Sequence, residues 1–482
     1  MASRLLPSLF LAALFGSPLG GCAASSMPDE TKAPAPTPTN LDPTGPVVPI
    51  RPGASVLVQG ARVMTGTGAT FETADVLIVD GIIAAVGVDL PAPEGVAVVD
   101  ARGKVVTPGI IDTHSHMGVY ASPGLRAHSD GNEAVAPNTA YVRARDGYWP
   151  QDPQIPWAVA GGVTTAQILP GSANLIGGRS TIVKFYPGAR SAAEAHFPGA
   201  ADGLKMACGE NPKRVYGDSG GPQTRMGNVA GYRRAFEAGK SYLRQLERYE
   251  HDLALFELGE REEAPDPIDR DLGLETIAGV LSGEILVHNH CYRADEMLIM
   301  MELAEEYGFT IRSFHHAVEA YKIAPELASA GTSASIWADW WGFKAEAFDG
   351  IRENAALLEL AGARPIIHSD SPVGIQRLNQ EAAKAMFAGQ RAGIDLDEED
   401  ALRWITLNAA WALGVHEVTG TLETGKMGDL VIWNQSPFTV SAKAEKVFLE
   451  GSLIYDRADP DHQPSTDFAL GWDLDDSDGG AR

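Results

Sequence analysis

The chain has 482 residues, of which 44% are hydrophobic and 21% are charged, so it can bury a large core and is not a disordered protein. The formal net charge of −25 would repel nucleic-acid phosphates and anionic membrane surfaces, and neither is expected as a partner. Part of the acidity lies in residues 459–482, an Asp-rich tail that is predicted to be disordered.

The N-terminus has the features of an export signal. One Arg precedes an apolar run, residues 5–19, which is too short to span a membrane as a mature helix. The run ends in Leu19-Gly-Gly-Cys22, which resembles a bacterial lipobox, so residues 1–21 are predicted to be removed and Cys22 to be lipidated. An ordinary signal peptide with an incidental Cys22 is the alternative.

This signal predicts where the protein works. Residues 22–52 are rich in Pro, Thr and Ala and are predicted to be a tether. Ala at position 23, rather than Asp, favours the outer membrane, so we expect an exported lipoprotein that faces the periplasm and touches the membrane only through its lipid. If Cys22 is not lipidated, a periplasmic protein is expected.

Both ends of the remaining chain predict β-structure. Residues 54–106 alternate apolar and polar side chains with Gly breaks, which is typical of short antiparallel strands. The same pattern returns in residues 428–433 and 446–455. Neither group has enough strands to bury a face, so residues 53–107 and 416–458 are predicted to form one composite β-sandwich.

Between these segments, short apolar runs alternate with helical stretches such as residues 294–307 and 398–413, which is typical of βα units. The eight runs are residues 109–116, 164–169, 180–186, 203–209, 284–290, 310–316, 332–339 and 364–370. Eight parallel strands predict an α/β fold with a closed TIM (β/α)8 barrel over residues 108–415. Residues 211–283 are predicted to be a helical insertion that serves as a lid or as the contact of a homo-oligomer.

Besides Cys22 the chain contains two cysteines, Cys208 and Cys291. This number implies no disulfide framework. Each cysteine is expected to be a small buried residue at the end of a barrel strand, with a role as metal ligand as the alternative.

Histidines cluster where the predicted strands end, which is where barrel enzymes place their chemistry. They are His114, His116, His288, His290, His315, His316 and His368, out of twelve in the chain. Side chains at positions i and i+2 of a strand share a face, so His114 and His116 can bind one metal ion.

The other strand ends complete a predicted metal site. On the fifth strand His290 lies closer to the mouth and is the preferred ligand, with His288 in the layer below. On the sixth strand only one of the adjacent His315 and His316 is expected to point inward, and we choose His316. On the eighth strand Asp370 lies at the rim, where it can hold the metal and accept a proton from water.

This constellation resembles the amidohydrolase superfamily over about residues 55–456. The resemblance rests on Pro108-Gly-Ile-Ile-Asp-Thr-His114-Ser-His116, on the His residues of strands five and six, on Asp370, and on Gly420-Thr-Leu-Glu-Thr-Gly-Lys-Met-Gly-Asp-Leu-Val. Residues 171–178 and 206–213 are similar to an imidazolonepropionase-like and prolidase-like subgroup. The resemblance implies a TIM barrel, one or two divalent ions, expected to be Zn²⁺, and hydrolysis of an amide or cyclic amide in a small molecule or dipeptide.

The resemblance also implies a strand-four ligand, either a carboxylated Lys or a Glu, and both Lys205 and Glu210 are available. A Lys must first lose its charge, whereas a Glu needs no modification, so we choose Glu210. The implied reaction uses water that the metal acidifies, with Asp370 as general base and acid and with assistance from His316 or Tyr120.

Tyr120 is also a candidate for substrate binding, and three further side chains join it. Arg293 or Arg179 could bind a carboxylate, and Trp337 could form part of an apolar wall, although surface ion pairs and core packing are the alternatives. A deaminase or a deacetylase on the same scaffold is a second interpretation, but family deaminases carry a Glu soon after the strand-five His, where this chain has Cys291-Tyr-Arg-Ala. A non-catalytic, metal-binding surface lipoprotein is a third interpretation.

Overall fold

The computed structural model describes residues 53–464. The predicted signal peptide, Cys22, the tether and residues 465–482 of the predicted tail lie outside the described residues. At the start of the tail, Pro460–His462 form a short 3-10 helix. Within residues 53–464, no helix combines the length and the apolar character needed to cross a bilayer.

The described residues contain strands and helices in the following order. The strands are β1 (Val56–Met64), β2 (Thr70–Val79), β3 (Ile82–Gly87), β4 (Ala97–Asp100), β5 (Val105–Pro108), β6 (Ile110–Ser115), β7 (Val163–Ile168), β8 (Ile176–Lys184), β9 (Gly203–Ala207), β10 (Leu286–Cys291), β11 (Ile311–His316), β12 (Ser333–Ile336), β13 (Arg364–Ile367), β14 (Leu430–Trp433), β15 (Ala444–Leu449) and β16 (Ser452–Asp456). The α-helices are α1 (Ala144–Gly147), α2 (Ile155–Ala160), α3 (Ala192–Ala195), α4 (Glu210–Tyr216), α5 (Arg225–Glu257), α6 (Leu272–Leu281), α7 (Ala294–Tyr307), α8 (Ala324–Ala330), α9 (Asn354–Leu360), α10 (Leu378–Arg391), α11 (Glu398–Trp404) and α12 (Leu407–Ala412).

Strands from both ends of the described chain form one sheet. Its order is β16-β15-β14-β5-β1-β2-β3, and β4 pairs with β1. Val58 and Ile78 from the N-terminal strands and Leu430 and Phe448 from the C-terminal strands share one apolar cluster. The two segments therefore build a joint core, whereas the arrangement of these strands as a sandwich stays a prediction.

The central strands form a nearly closed barrel of eight strands in the order β13-β12-β11-β10-β9-β8-β7-β6. The two edge strands meet near the mouth, where the Asp370 N–H donates a hydrogen bond of 3.0 Å to the His114 carbonyl. Helix α7 illustrates the outer layer, because Met297, Met300 and Leu303 follow the helical period and are buried. The barrel that the pattern of short apolar runs predicts is therefore present.

The third barrel strand departs from the prediction of eight parallel strands. Strand β8 is antiparallel to both of its neighbours, β7 and β9. Residues 169–175, which join β7 to β8, are too few for the helical crossover that a parallel pair requires, so the two strands form a hairpin. The prediction is therefore wrong for this strand, and β8 runs away from the mouth rather than toward it.

The segment between β9 and β10 contains the helices α4, α5 and α6. Helix α5 begins after Thr224, whose side chain accepts a hydrogen bond from the Gly227 N–H. Tyr232 and Phe236 of α5 are fully buried in the main core, and the Tyr232 hydroxyl donates to the carbonyl of Ala207 at the end of β9. The insertion is thus packed directly behind the strand that carries Lys205.

Cys208 and Cys291 form a disulfide, contrary to the expectation that they are merely small buried residues. Strands β9 and β10 are parallel neighbours in which Ala207 pairs with His290, so the next residue of each strand is a cysteine. Their Cα atoms lie 5.3 Å apart, which is within the normal range for a disulfide. The bond joins two strand ends at the mouth of the barrel.

Candidate metal centre

Buried histidines from four barrel strands meet at one end of the barrel. The ring of His316 lies 4.6 Å from that of His114, 4.5 Å from that of His290 and 4.9 Å from that of His368, measured between centroids. All four side chains are almost completely buried. The parallel strands β6, β10, β11 and β13 thus bring together residues that are far apart in the chain.

Asp370 and His116 complete the cluster on its more open side. The Oδ1 atom of Asp370 lies 3.3 Å from His116 Nε2 and 3.6 Å from His114 Nε2, and its Oδ2 atom lies 3.8 Å from His316 Nε2. Two groups of ligand atoms share His114, with all atoms of a group within 4.8 Å of one another. One group is His114, His116 and Asp370, and the other is His114, His316 and His368.

The chemistry of these groups fits a divalent metal ion. Burial lowers the pKa of His114, His290 and His316 well below the usual range, and it lowers the pKa of His368 to about 3. The rings are therefore neutral and have lone pairs to offer. The Nδ1 atoms of His290, His316 and His368 are buried and have no hydrogen-bond partner among residues 53–464. Neutral imidazoles together with a carboxylate are the ligand set that zinc prefers.

Both His315 and His316 face the cluster, so the prediction that only one of them points inward is wrong. His316 has a φ of +70°, and Ala317, which follows it, has a φ of +29°. This left-handed turn breaks the alternation of side chains at the end of β11. His315 is fully buried, and its Nδ1 atom lies 2.8 Å from the Nδ1 atom of His114. Asp370 also has a positive φ, of +49°, and such strained residues tend to gather at functional sites.

Asp112 connects the two strands that carry His114 and Asp370. Its buried carboxylate accepts hydrogen bonds from the His114 N–H at 3.0 Å and from the Ser369 N–H at 3.2 Å, and it also accepts from the Ser369 hydroxyl. Burial raises the pKa of Asp112 to about 7. The carboxylate therefore holds the backbone on both sides of the gap between β6 and β13.

The two candidates for the strand-four ligand lie in different surroundings. Lys205 is buried, and its ammonium donates a hydrogen bond of 2.9 Å to the Pro170 carbonyl. Burial lowers the pKa of Lys205 to about 8, against the opposing effect of the Asp370 charge. Glu210 begins α4 at the rim, where its Oε1 atom lies 3.7 Å from Lys344 Nζ, and it belongs to neither group of ligand atoms.

Two of the predicted substrate-binding residues lie beside the cluster. The Trp337 ring stacks on that of His316 at 4.3 Å, and its Nε1–H donates a hydrogen bond of 3.1 Å to the Ser369 carbonyl. The Tyr120 ring lies 5.7 Å from that of His116, and the side chain is partly exposed at the mouth.

The two arginines proposed for carboxylate binding are engaged elsewhere. Arg293 pairs with Asp295 at 2.9 Å on the surface. Arg179 lies on the antiparallel strand β8 and donates a hydrogen bond of 2.8 Å to Thr276 of α6. The structure therefore brings neither side chain to the cluster.

Sequence reasoning did not select Tyr292 or His368 as site residues. The Tyr292 ring lies 4.8 Å from that of His290 and 5.4 Å from that of His316. Burial and the nearby charge of Asp370 raise the pKa of Tyr292, so its hydroxyl stays protonated. Both residues stand two positions from a chosen ligand, and the rule used for His114 and His116 could have found them.

Comparisons with known proteins agree with this geometry. A model of the Amidohydrolase family matches residues 308–455. An amidohydrolase from Thermotoga maritima MSB8 of known structure is 36% identical, and the match covers 83% of this chain and 100% of that one, with a TM-score of 0.76.

Curated proteins with known names are also similar. Amidohydrolase tasK of Hapsidospora irregularis is 35% identical over 409 residues, which are 81% of this chain and 41% of that protein. A dihydroorotase of Citrifermentans bemidjiense is 41% identical over 76 residues, which are 16% of this chain and 17% of the relative. The chain thus spans less than half the length of either curated relative.

Proposed function

This chain belongs to the amidohydrolase superfamily, and on that premise we propose that it is a hydrolase of carbon–nitrogen bonds that cleaves an amide or cyclic amide of a small molecule or dipeptide. The observation that carries the proposal is the convergence of neutral imidazoles and the Asp370 carboxylate at the mouth of the barrel. We propose Zn²⁺ as the metal, in one or two ions, held by His114, His116, His316 and Asp370 together with other imidazoles of the cluster.

Bound divalent ions would make water more acidic and would polarise the scissile carbonyl. Asp370 is placed to accept a proton from that water and to return it to the leaving nitrogen, because its carboxylate is a quarter exposed and faces three imidazoles. The Tyr292 hydroxyl and the phenol of Tyr120 are candidate donors to the oxygen that becomes negative.

The residues around the cluster support the orientation of these groups. The carbonyl of Leu169 lies 2.8 Å from His116 Nδ1, so it accepts the ring N–H and leaves Nε2 free for the metal. The next carbonyl, of Pro170, holds Lys205. Trp337 covers one side of His316 and offers an apolar surface to the substrate.

We propose Lys205, rather than the earlier choice Glu210, as the strand-four ligand. A neutral Lys amine can attack CO₂ and lose a proton to form a carbamate, and a pKa of about 8 keeps part of the Lys205 amine neutral near physiological pH. The new carboxylate would carry the negative charge that a metal ligand needs.

This assignment predicts that loading with metal depends on bicarbonate. Apoprotein incubated with Zn²⁺ is expected to recover less bound metal in bicarbonate-free buffer than in buffer with bicarbonate, as measured by elemental analysis. Lys205→Ala should remove the dependence, and Glu210→Gln, the matched control, should retain it. Equal recovery in both buffers, together with metal loss in Glu210→Gln, would restore Glu210 as the ligand.

The cellular setting is proposed from the N-terminal sequence. We propose an exported lipoprotein anchored through Cys22, with an outer-membrane position facing the periplasm. The Cys208–Cys291 disulfide supports export, because disulfides persist in oxidising compartments. We also propose membership of the imidazolonepropionase-like and prolidase-like subgroup.

The proposal is tested by metal analysis and by turnover on a defined panel. The lipid-free protein is expected to bind Zn²⁺ and to hydrolyse at least one N-acyl amino acid, dipeptide or cyclic amide, with loss of activity on chelation and recovery on adding Zn²⁺. Ammonia release from an amino-substituted ring would instead favour a deaminase, and acetate release from N-acetyl sugars or amines a deacetylase. Bound metal without turnover of any compound would contradict the proposed reaction.

A further inference from the structure

A chain of three buried imidazoles runs from the metal centre into the barrel. His114 Nδ1 lies 2.8 Å from His315 Nδ1, and His315 Nε2 lies 2.9 Å from His288 Nδ1. All three side chains are fully buried. We propose that His315 is a positioning residue that fixes the tautomer of His114, so that the Nε2 lone pair of His114 faces the metal. This inference rests on the proposed metal centre.

Only two arrangements of hydrogen atoms satisfy both contacts. A neutral imidazole has one N–H and one lone pair, so each contact needs one donor and one acceptor. In the first arrangement His114 Nδ1–H donates to His315, and His315 Nε2–H donates to His288. In the second arrangement both hydrogen bonds run in the opposite direction, and the N–H of His114 then lies on Nε2. The tautomers of the three rings are therefore linked.

The metal selects the first arrangement. In the second arrangement the Nε2–H of His114 would point at His116 Nε2, 3.3 Å away, and would occupy the position needed for a ligand lone pair. At the inner end His288 Nε2 has no hydrogen-bond partner among the described residues in either arrangement. Either arrangement leaves this buried atom unpaired, so among the described residues the His288 end does not decide between the two.

The two proposed ligands at the end of β6 differ in the partner of their Nδ1 atoms. His116 Nδ1 contacts the carbonyl of Leu169, a fixed acceptor that dictates its tautomer without help. His114 has no such carbonyl, and its only Nδ1 partner among the described residues is the ring of His315. The Leu169 carbonyl can only accept, so His116 must carry its hydrogen on Nδ1. His315, in contrast, can accept from the Nδ1–H of His114 only when its own hydrogen is on Nε2, where it is donated to His288.

The inference predicts a specific pattern of zinc affinities, measured on the full chain by competition with a chelator. His315→Phe keeps the bulk of the ring but removes both hydrogen bonds, and we expect Zn²⁺ binding to weaken about 10–100-fold, as is usual when the partner of a ligating His is lost. His315→Asn can still accept and donate through its amide and should stay close to the wild type. His251→Asn, on the exposed face of α5, serves as the control and should not change affinity.

A second measurement keeps the inference testable if His315→Phe does not fold. In Zn²⁺-loaded wild-type protein labelled with ¹⁵N-histidine, His315 and His288 should both be Nε2–H tautomers. A Nδ1–H tautomer at His315, or unchanged zinc affinity in folded His315→Phe, would overturn the inference. Zinc binding with the expected affinities but no turnover would contradict the proposed function alone, because neither readout depends on hydrolysis.

Discussion

Replacing Asp370 by Asn is expected to lower kcat/KM by about 10²–10⁴, the usual contribution of a general acid–base group. The Asn amide keeps the size of the side chain but can neither accept a proton from water nor pass one to the leaving nitrogen. Asp370 is a quarter exposed and lies within 3.8 Å of His114, His116 and His316, so a change there acts directly on the cluster. Initial rates on the best compound of the panel provide the measurement.

The Asp370→Asn experiment needs two controls. Bound metal is measured in the same samples, because Asp370 is also a proposed ligand and loss of metal would lower the rate by another route. Asp295→Asn changes a carboxylate that pairs with Arg293 on the surface, and it should retain wild-type activity. A rate within a few-fold of the wild type, with metal still bound, would remove Asp370 from the mechanism.

Removing the Cys208–Cys291 disulfide is expected to lower the free energy of unfolding by about 4 kcal/mol. The bond closes a loop of 83 residues, and the entropy that it removes from the unfolded chain grows with loop length. The pair Cys208→Ala and Cys291→Ala avoids placing new hydroxyl groups in the core. Denaturant unfolding with and without reductant measures the effect.

The reductant provides the matched comparison for the disulfide. Reduced wild-type protein should unfold at about the same denaturant concentration as the double variant, and the double variant should not respond to reductant. If the unfolding of the wild type were the same in both conditions, the two sulfurs would not be bonded in solution. Because Cys291 directly follows His290, the zinc content of the reduced protein should be recorded as well.

The sequence allowed the barrel and most of the cluster to be predicted, because both depend on local patterns. Apolar runs separated by helical stretches mark barrel strands, and strand ends carry His114, His116, His290, His316 and Asp370. Parallel strands that close into a barrel bring such ends together whatever lies between them. Spacing along a strand is enough to say which side chains share a face.

Other features depended on how neighbouring elements meet. Strand β8 is antiparallel because only a short connection joins it to β7, and the pattern of apolar residues did not show where β8 begins. As a result Arg179, on β8, contacts α6 and not the metal centre. The register of β11 against β10 places His315 opposite His290, on the inward face, and the positive φ of His316 then turns the His316 side chain toward the cluster as well, against the alternation that a regular strand would impose. Such a left-handed residue is stabilised by contacts with its surroundings, and no periodic pattern of residues in the sequence indicates it.

The sequence by itself determined the class of fold, the strand ends that carry imidazoles and the Asp370 carboxylate that accompanies them, because spacing and periodicity are properties of the chain. Only the tertiary structure decided that Lys205 is buried, near enough for its charge to help lower the pKa of His114 and His290, while Glu210 lies beside Lys344, and that Cys208 meets Cys291. It also decided that His315 connects His114 to His288. These relations depend on register between strands and on burial, which arise only when distant segments pack against one another.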